Sequence, residues 1–365
     1  MRVKLEDICE KGSSNLKQSD VINKNGKYPI YGAAGYLGNV DFYHQDKSYV
    51  AVIKDGAGIG RTSLHPAKSS VIGTMQYLLP KDNVIPEYLY YVVQYMHLEK
   101  YFTGATIPHI YFKDYKTEEF NLDTITRQKE IVNILKKVEM IIDFRSQQLQ
   151  KFDELIKARF VEMFGTLHNN ENGFDVVTIE DVCTLIKDGT HQTPRYTDDK
   201  KTGYKFLSSK DVMSQKIDWS DIKYIPAELH EKLYATIKPQ RNDILMSKNG
   251  VNYGVAAVND TDEIFDIYVS LALLRPKELI DPVFFRCMIN NPETKKQFDS
   301  SIKGIGVPNL HLGEIKKTKI FLPPMKLQKE FVTFAEQINK SKAAVKKALD
   351  ETQLLFDSLM QKYFG

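Results

Sequence analysis

The chain has 365 residues, 42% hydrophobic and 27% charged, with a formal net charge of +3 at pH 7. That length exceeds what one core usually organises, so two domains of average size are expected. No apolar run reaches the ~18 residues of a membrane span, and residues 1–12 lack the apolar core of an export signal, which makes the cytoplasm the expected location and leaves no role for a membrane.

In chain order, the runs YVAVIKDG (residues 49–56) and TMQYLLP (74–80) read as short strands, each ended by Gly, Pro or Asp, and residues 86–101 read as a helix. Residues 127–164 hold neither Gly nor Pro, and Ile131, Leu135, Val138, Ile142, Leu149, Phe152 and Ile156 recur at steps of four and three with Arg145 as one polar slot. That is the seam of a coiled coil. A polar stretch, LHNNENGF (167–174), reads as a linker. DILMSKNG (243–250), DIYVSLALLRP (266–276) and KIFLPP (319–324) read as strands, with a helix over 282–298. A second heptad seam follows at Phe331, Ala335, Ile338, Val345, Leu349, Phe356, Leu359 and Tyr363, interrupted by Lys342 and Thr352.

The chain is built twice. Residues 104–165 align without a gap on residues 304–365, and 12 of the 62 pairs are identical, among them Pro108/Pro308, Gln128/Gln328 and Phe164/Phe364. Upstream, Leu5–Cys9 matches Ile179–Cys183 at an offset of 174, and Lys54-Asp55-Gly56 matches Lys248-Asn249-Gly250 at 194, so the second copy carries insertions between these anchors. A fixed element repeated beside variable ones suggests one frame carrying two different readers. Each seam needs a partner. Since each helix follows its own globular module, an antiparallel pairing within the chain, with a module at each end, is expected ahead of dimerisation through the helices or a parallel pairing that would crowd the modules, over a rod of roughly 55 Å at about 1.5 Å per residue. The expected fold class is α+β: two mixed α/β domains in pseudo-twofold repeat (1–126 and 176–324), two long antiparallel helices (127–165 and 325–365) forming a coiled coil, and a linker at 166–175.

Catalytic chemistry is sought and not found. VAVIKDGAGIG (50–60) resembles the glycine turn of S-adenosylmethionine-dependent methyltransferases, but its repeat partner ILMSKNGVNYG (244–254) keeps only two of the glycines, and no Asp/Asn-Pro-Pro-aromatic motif accompanies it. A tight turn between strands is the favoured reading. GxxxxGK[ST], HExxH and GxSxG are absent. The histidines are scattered, and Cys9, Cys183 and Cys287 show no CxxC spacing, so no metal site or disulfide framework is expected. Cys9 and Cys183 occupy equivalent repeat positions and read as small buried apolar residues.

What remains are loops crowded with groups that hold phosphates and read base edges. In the second half these are Lys187, Thr190, His191, Gln192, Thr193, Arg195 and Tyr196, with Lys248 and Asn249. In the first half they are Tyr31, Tyr36, Lys54 and Arg61. Solvent-exposed turns contain the same residue types. Thr106 and His109, and Asn309 opposite His109 in the repeat, are the sharper candidates, because equivalent positions that differ in their polar group suit two readers of different sequences.

Over essentially its whole length the chain resembles the specificity subunit of a type I restriction-modification enzyme. The resemblance rests on GVPNLHLGEIKKTKIFLPPMKLQKEFV running into a long helix, its echo GATIPHIYFKDYKTEEFNLDTITRQKEIV, the KDGTHQTP loop at Lys187 and YPIYGAAGYLG at Tyr28. The first copy departs from the pattern, with NLDTITRQ where the second has FLPPMKLQ. The resemblance implies a chain without catalysis or cofactor of its own, whose two target-recognition domains each read one half of a bipartite, asymmetric sequence in double-stranded DNA. It implies two modification (methyltransferase) subunits and restriction (translocase-nuclease) subunits as partners, which would carry S-adenosylmethionine, ATP and Mg. Two alternatives stand beside it: the specificity subunit of a related two-gene system cutting on both sides of its site, and a methyltransferase using the Gly56–Gly60 turn.

Overall fold

The computed structural model describes residues 1–21, 24–104, 108–167, 169–302 and 308–365. The chain divides into two compact units, residues 1–149 with 344–365, and residues 150–343. Both predicted seams form helices of 40 residues, Ile125–Phe164 and Met325–Phe364, and each helix is shared out between the units.

The two copies build the same three sheets. In the first unit an antiparallel sheet runs Cys9–Ser13, Met75–Pro80, Tyr49–Ile53, Thr62–His65; in the second it runs Cys183–Asp188, Leu271–Pro276, Ile244–Ser247, Ala256–Val258. A three-stranded sheet mixes one antiparallel and one parallel pairing in each: Tyr28–Gly32 lies between Gly35–Val40 and Ser70–Val71, and Tyr204–Leu207 lies between Lys223–Ile225 and Phe265–Ile267. A two-stranded ribbon closes each domain, Arg2–Lys4 on Glu119–Asn121 and Asp175–Thr178 on Lys319–Leu322. The central strand Tyr49–Ile53 is buried at every position, which explains its continuous apolar run.

Several identities of the repeat have structural causes. Gln128 and Gln328 are wholly buried near the start of the long helices. The Gln128 carbonyl accepts from the Ile85 amide at 2.9 Å while its amide donates to the Asn83 and Asp123 carbonyls. Gln328 does the same with Asp281, Leu279 and Pro323. Each glutamine thus pins the long helix to the start of an earlier helix of its own copy, Pro86–Tyr95 or Pro282–Ile289. Lys116–Glu6 and Lys316–Glu180 are equivalent ion pairs at 2.6 and 2.8 Å. Phe164 and Phe364 are fully buried, and Gly165 follows the first of them at φ +70°, the left-handed cap a glycine allows.

The long helices run antiparallel. Within the first unit Ile131, Leu135 and Val138 share a core with Phe356, Met360 and Tyr363; within the second, Phe160 and Phe164 share one with Phe331 and Ala335. The polar slots are matched rather than wasted. Arg145 donates to the Thr352 hydroxyl and the Ala348 carbonyl, and Lys342 pairs with Asp153 at 2.5 Å. The half-buried Arg145–Thr352 contact penalises every register that would separate its partners, whereas the exposed Lys342–Asp153 pair contributes little.

Cys9 and Cys183 are buried as expected, and burial pushes both thiols up to about 12 against the opposing charges of Lys81 and Lys277. Among the described residues, no helix is long and apolar enough to cross a membrane.

Candidate nucleic-acid interface

The glycine turn of the first domain joins two antiparallel strands. Tyr49–Ile53 pairs directly with Thr62–His65, and Gly56, Gly58 and Gly60 between them take φ of +84°, +84° and +81°. A mononucleotide fold would send the strand into a helix at this point. The turn therefore shapes a loop and builds no cofactor cradle of that type.

Around this turn the two domains hold one backbone frame. The Gly56 amide donates to the Pro108 carbonyl at 3.0 Å and the Ile110 amide to the Lys54 carbonyl at 3.0 Å; in the second domain Gly250 donates to Pro308 at 3.0 Å and Leu310 to Lys248 at 2.7 Å. These bonds place position 55 opposite 109 and position 249 opposite 309 as isolated antiparallel bridges. Side chains facing each other across such a bridge lie on the same side. The frame is constant and the pair is exchanged: Asp55 with His109 in one domain, Asn249 with Asn309 in the other.

The chemistry of the two pairs differs. The Asp55 carboxylate meets His109 Nδ1 at 2.7 Å and Lys54 Nζ at 2.7 Å. Burial raises the Asp55 carboxyl, but the hydrogen bonds from Lys54 and His109 outweigh it and hold it below the ordinary carboxylate range. With Nδ1 bound to the carboxylate, Nε2 faces outward as an acceptor on the neutral ring or a donor on the imidazolium. His109 stacks beside Tyr111 with centroids 6.3 Å apart. In the second domain Asn309 is exposed, and Asn249 Oδ1 is buried without a hydrogen-bond partner among the described residues.

The remaining candidates fall into two groups. In the first domain Tyr31 and Tyr36 are a cross-strand pair in edge-to-face contact at 6.0 Å, and Arg61 spans from the Gly58 carbonyl to the Ala33 carbonyl, both at 3.3 Å. Tyr36 is 61% exposed. In the second domain the strand ending at Asp188 leads into a loop anchored at both ends. Gly189 lies so close to the Ile267 carbonyl that a Cβ there would stand 2.0 Å from its oxygen, and Thr190 exchanges backbone bonds with Ile267 and Val269. His191, Gln192 and Thr193 then project into solvent, Pro194 is buried, and Arg195 and Tyr196 emerge beyond it, as does Lys187 before the loop. Tyr196 packs edge-on against Phe206 at 6.2 Å. Lys248 stands apart from the others, because it is only 4% exposed and its ammonium meets Asp188 at 2.9 Å. His191 Nε2 approaches the same carboxylate at 3.3 Å. Thr106 lies outside the described residues.

Asp55 and Asp188 were not singled out from the sequence, yet each organises a candidate loop. The signal for Asp55 was present in the repeat, where KDG stands against KNG. Asp188 gives no such signal, since its partner Lys248 lies 60 residues away.

The family described as type I restriction modification DNA specificity domain matches this chain twice, over residues 1–153 and 171–352. The chain belongs to that family. It is a DNA-recognition subunit of a type I restriction-modification system and not a catalytic one. Two curated relatives from Methanocaldococcus jannaschii are similar to it: the type I restriction enzyme MjaVIII specificity subunit is 23% identical over 77% of this chain and 69% of the relative, and the MjaIX specificity subunit is 23% identical over 78% and 69%. Among solved structures, the type I restriction-modification S subunit from M. genitalium matches with a TM-score of 0.61 at 15% identity, over 100% of this chain and 96% of that one. A structure described in terms of complex assembly and conformational transition of a type I system matches at 0.58 and 14%, over 100% and 97%. At these identities the structural matches speak for the fold of this specificity subunit.

Proposed function

We propose that this specificity subunit reads a bipartite, asymmetric duplex sequence, one half with each domain, across a spacer whose bases it does not read. The observation that supports this most directly is the constant frame with exchanged pairs. Two domains that repeat every sheet and the backbone bonds around one loop, yet present Asp55–His109 in one and Asn249–Asn309 in the other, are suited to recognising two different sequences. The exposed groups around them, Arg61 and Tyr36 in the first domain and His191, Gln192 and Arg195 in the second, supply phosphate contacts and further base readout.

The modification and restriction subunits dock, on this reading, on the outer faces of the long helices. Met140 and Phe144 are 70% and 60% exposed one turn apart, and Leu354 and Leu355 are 67% and 50% exposed. Apolar side chains on a helix face that is otherwise charged mark a contact surface. S-adenosylmethionine, ATP and Mg belong to those partners.

The test substitutes the exchanged pairs singly within the assembled methyltransferase. His109→Ala should relax the preference at one base pair of one half-site by about 1–3 kcal/mol, roughly ten- to hundredfold, and Asn309→Ala should do so only in the other half-site. Binding to a randomised duplex library reads both effects together. A change in both halves from either substitution, or in neither half from both, contradicts the assignment.

A further inference from the structure

Beside the Asp55–His109 pair the first domain contains a cleft of about 380 Å³, within the size range of small-ligand sites. Its lining includes Lys11, Ser13, Lys54, Gln76, Tyr111 and Lys113, with Asp55 at one side. Three ammonium groups face one carboxylate, and that carboxylate is already engaged by both Lys54 and His109. Lys11 and Lys113 make no ion pair among the described residues; Lys113 lies 5.4 Å from the Tyr111 ring centre. Gln76 is buried and donates to the Tyr115 hydroxyl, so the floor of the cleft is polar as well.

The second domain shows that the fold does not require this lining. Ser13 pairs with Gln76 across the first sheet, and Asp188 pairs with Ala272 at the same place in the second. By the same registers Lys11 corresponds to Ile186, and by the gap-free repeat Tyr111 and Lys113 correspond to His311 and Gly313. Where the first domain gathers cations, the second has an isoleucine, a glycine and an aspartate that takes up Lys248. The basic cleft is thus particular to one domain.

We propose that this cleft is a phosphate site, filled by a backbone phosphodiester of the half-site that the first domain reads and without a counterpart in the second domain. Lys11 and Lys113 neutralise the phosphate, the Ser13 hydroxyl donates to it, and the exposed Tyr111 ring lies where the adjoining sugar or base would pack. A phosphate held there seats the duplex beside His109. The proposal rests on the DNA-reading role above, although the same chemistry would also accept the phosphate of a free mononucleotide.

The experiment compares the parent assembly with Lys11→Gln/Lys113→Gln and with a charge-matched control, Lys232→Gln/Lys296→Gln, all with matching thermal transitions. Affinity for the cognate duplex is measured against salt, and 2′-deoxyadenosine 5′-monophosphate is titrated calorimetrically. The expected result is a salt slope shallower by about one in the cleft variant, at about 0.9 for the one phosphate neutralised, with the control slope unchanged. Mononucleotide binding that the variant abolishes, with an unaltered slope, supports the phosphate site with a free nucleotide as its source. A parent-like slope together with no mononucleotide binding overturns the proposal. Absence of any sequence preference in the parent would count against the DNA-reading role instead, and the nucleotide titration would still decide the cleft.

Discussion

Replacing residues 176–322 with the equivalent domain of another specificity subunit changes one half of the recognised sequence and leaves the other half as it was. This is the expected result if the domains read independently. The long helices carry no residue of that segment, and the second domain sits on them through Gln328 on Leu279 and Asp281 and through Phe284 packed against Phe160, Phe164 and Phe331. A donor domain that keeps these contacts has what it needs to dock. The whole difference between a matched and a mismatched half-site, several base pairs at about 1–3 kcal/mol each, should move to the new sequence. Methylome sequencing of cells carrying the exchanged chain reads the outcome, and a simultaneous change in both halves would show that the domains do not act separately.

Lengthening both long helices by one heptad, after Leu149 and after Leu349, increases the unread spacer while both half-sequences stay the same. A heptad keeps every seam residue facing its partner, and placing one in each copy keeps the repeat symmetric. Polar contacts between the two helices lie on either side of the insertions: Arg145 with Thr352 in one unit and Asp153 with Lys342 in the other. Seven residues add roughly 10 Å at about 1.5 Å each, and since duplex DNA rises about 3.4 Å per base pair the upper limit is about three base pairs. Helical twist rotates the second half-site as the spacer grows, so the observed gain should fall at or below that limit. A folded, methylation-competent variant with an unchanged spacer would mean that the helices do not set the distance.

The helices were legible in the sequence because heptad spacing over some forty residues without Gly or Pro admits few other readings. Their polar interruptions were legible too, but not their purpose: Arg145 and Thr352 look like flaws until the antiparallel register brings them together. Sheet topology was not legible, since the parallel pairing of Tyr28–Gly32 with Ser70–Val71 joins segments about forty residues apart that carry no shared signal. The cleft was hidden for a related reason. A bulge between Cys183 and Leu185 shifts that strand by one residue, so that Asp188 rather than Lys187 is the equivalent of Ser13, and Lys11 and Lys113 come to line one cleft only in three dimensions. Lys248 shows the converse: a lysine beside a glycine turn reads as a surface cation, yet its ammonium is buried in an ion pair with Asp188.

The central claim is one frame carrying two different readers, and it is tested most directly by the motif that becomes methylated when this chain is expressed with its modification subunit in a host free of other methyltransferases. The account predicts a motif of two unlike blocks separated by a spacer of fixed length and indifferent sequence. A single uninterrupted motif, or two blocks that are inverted copies of each other, would contradict it.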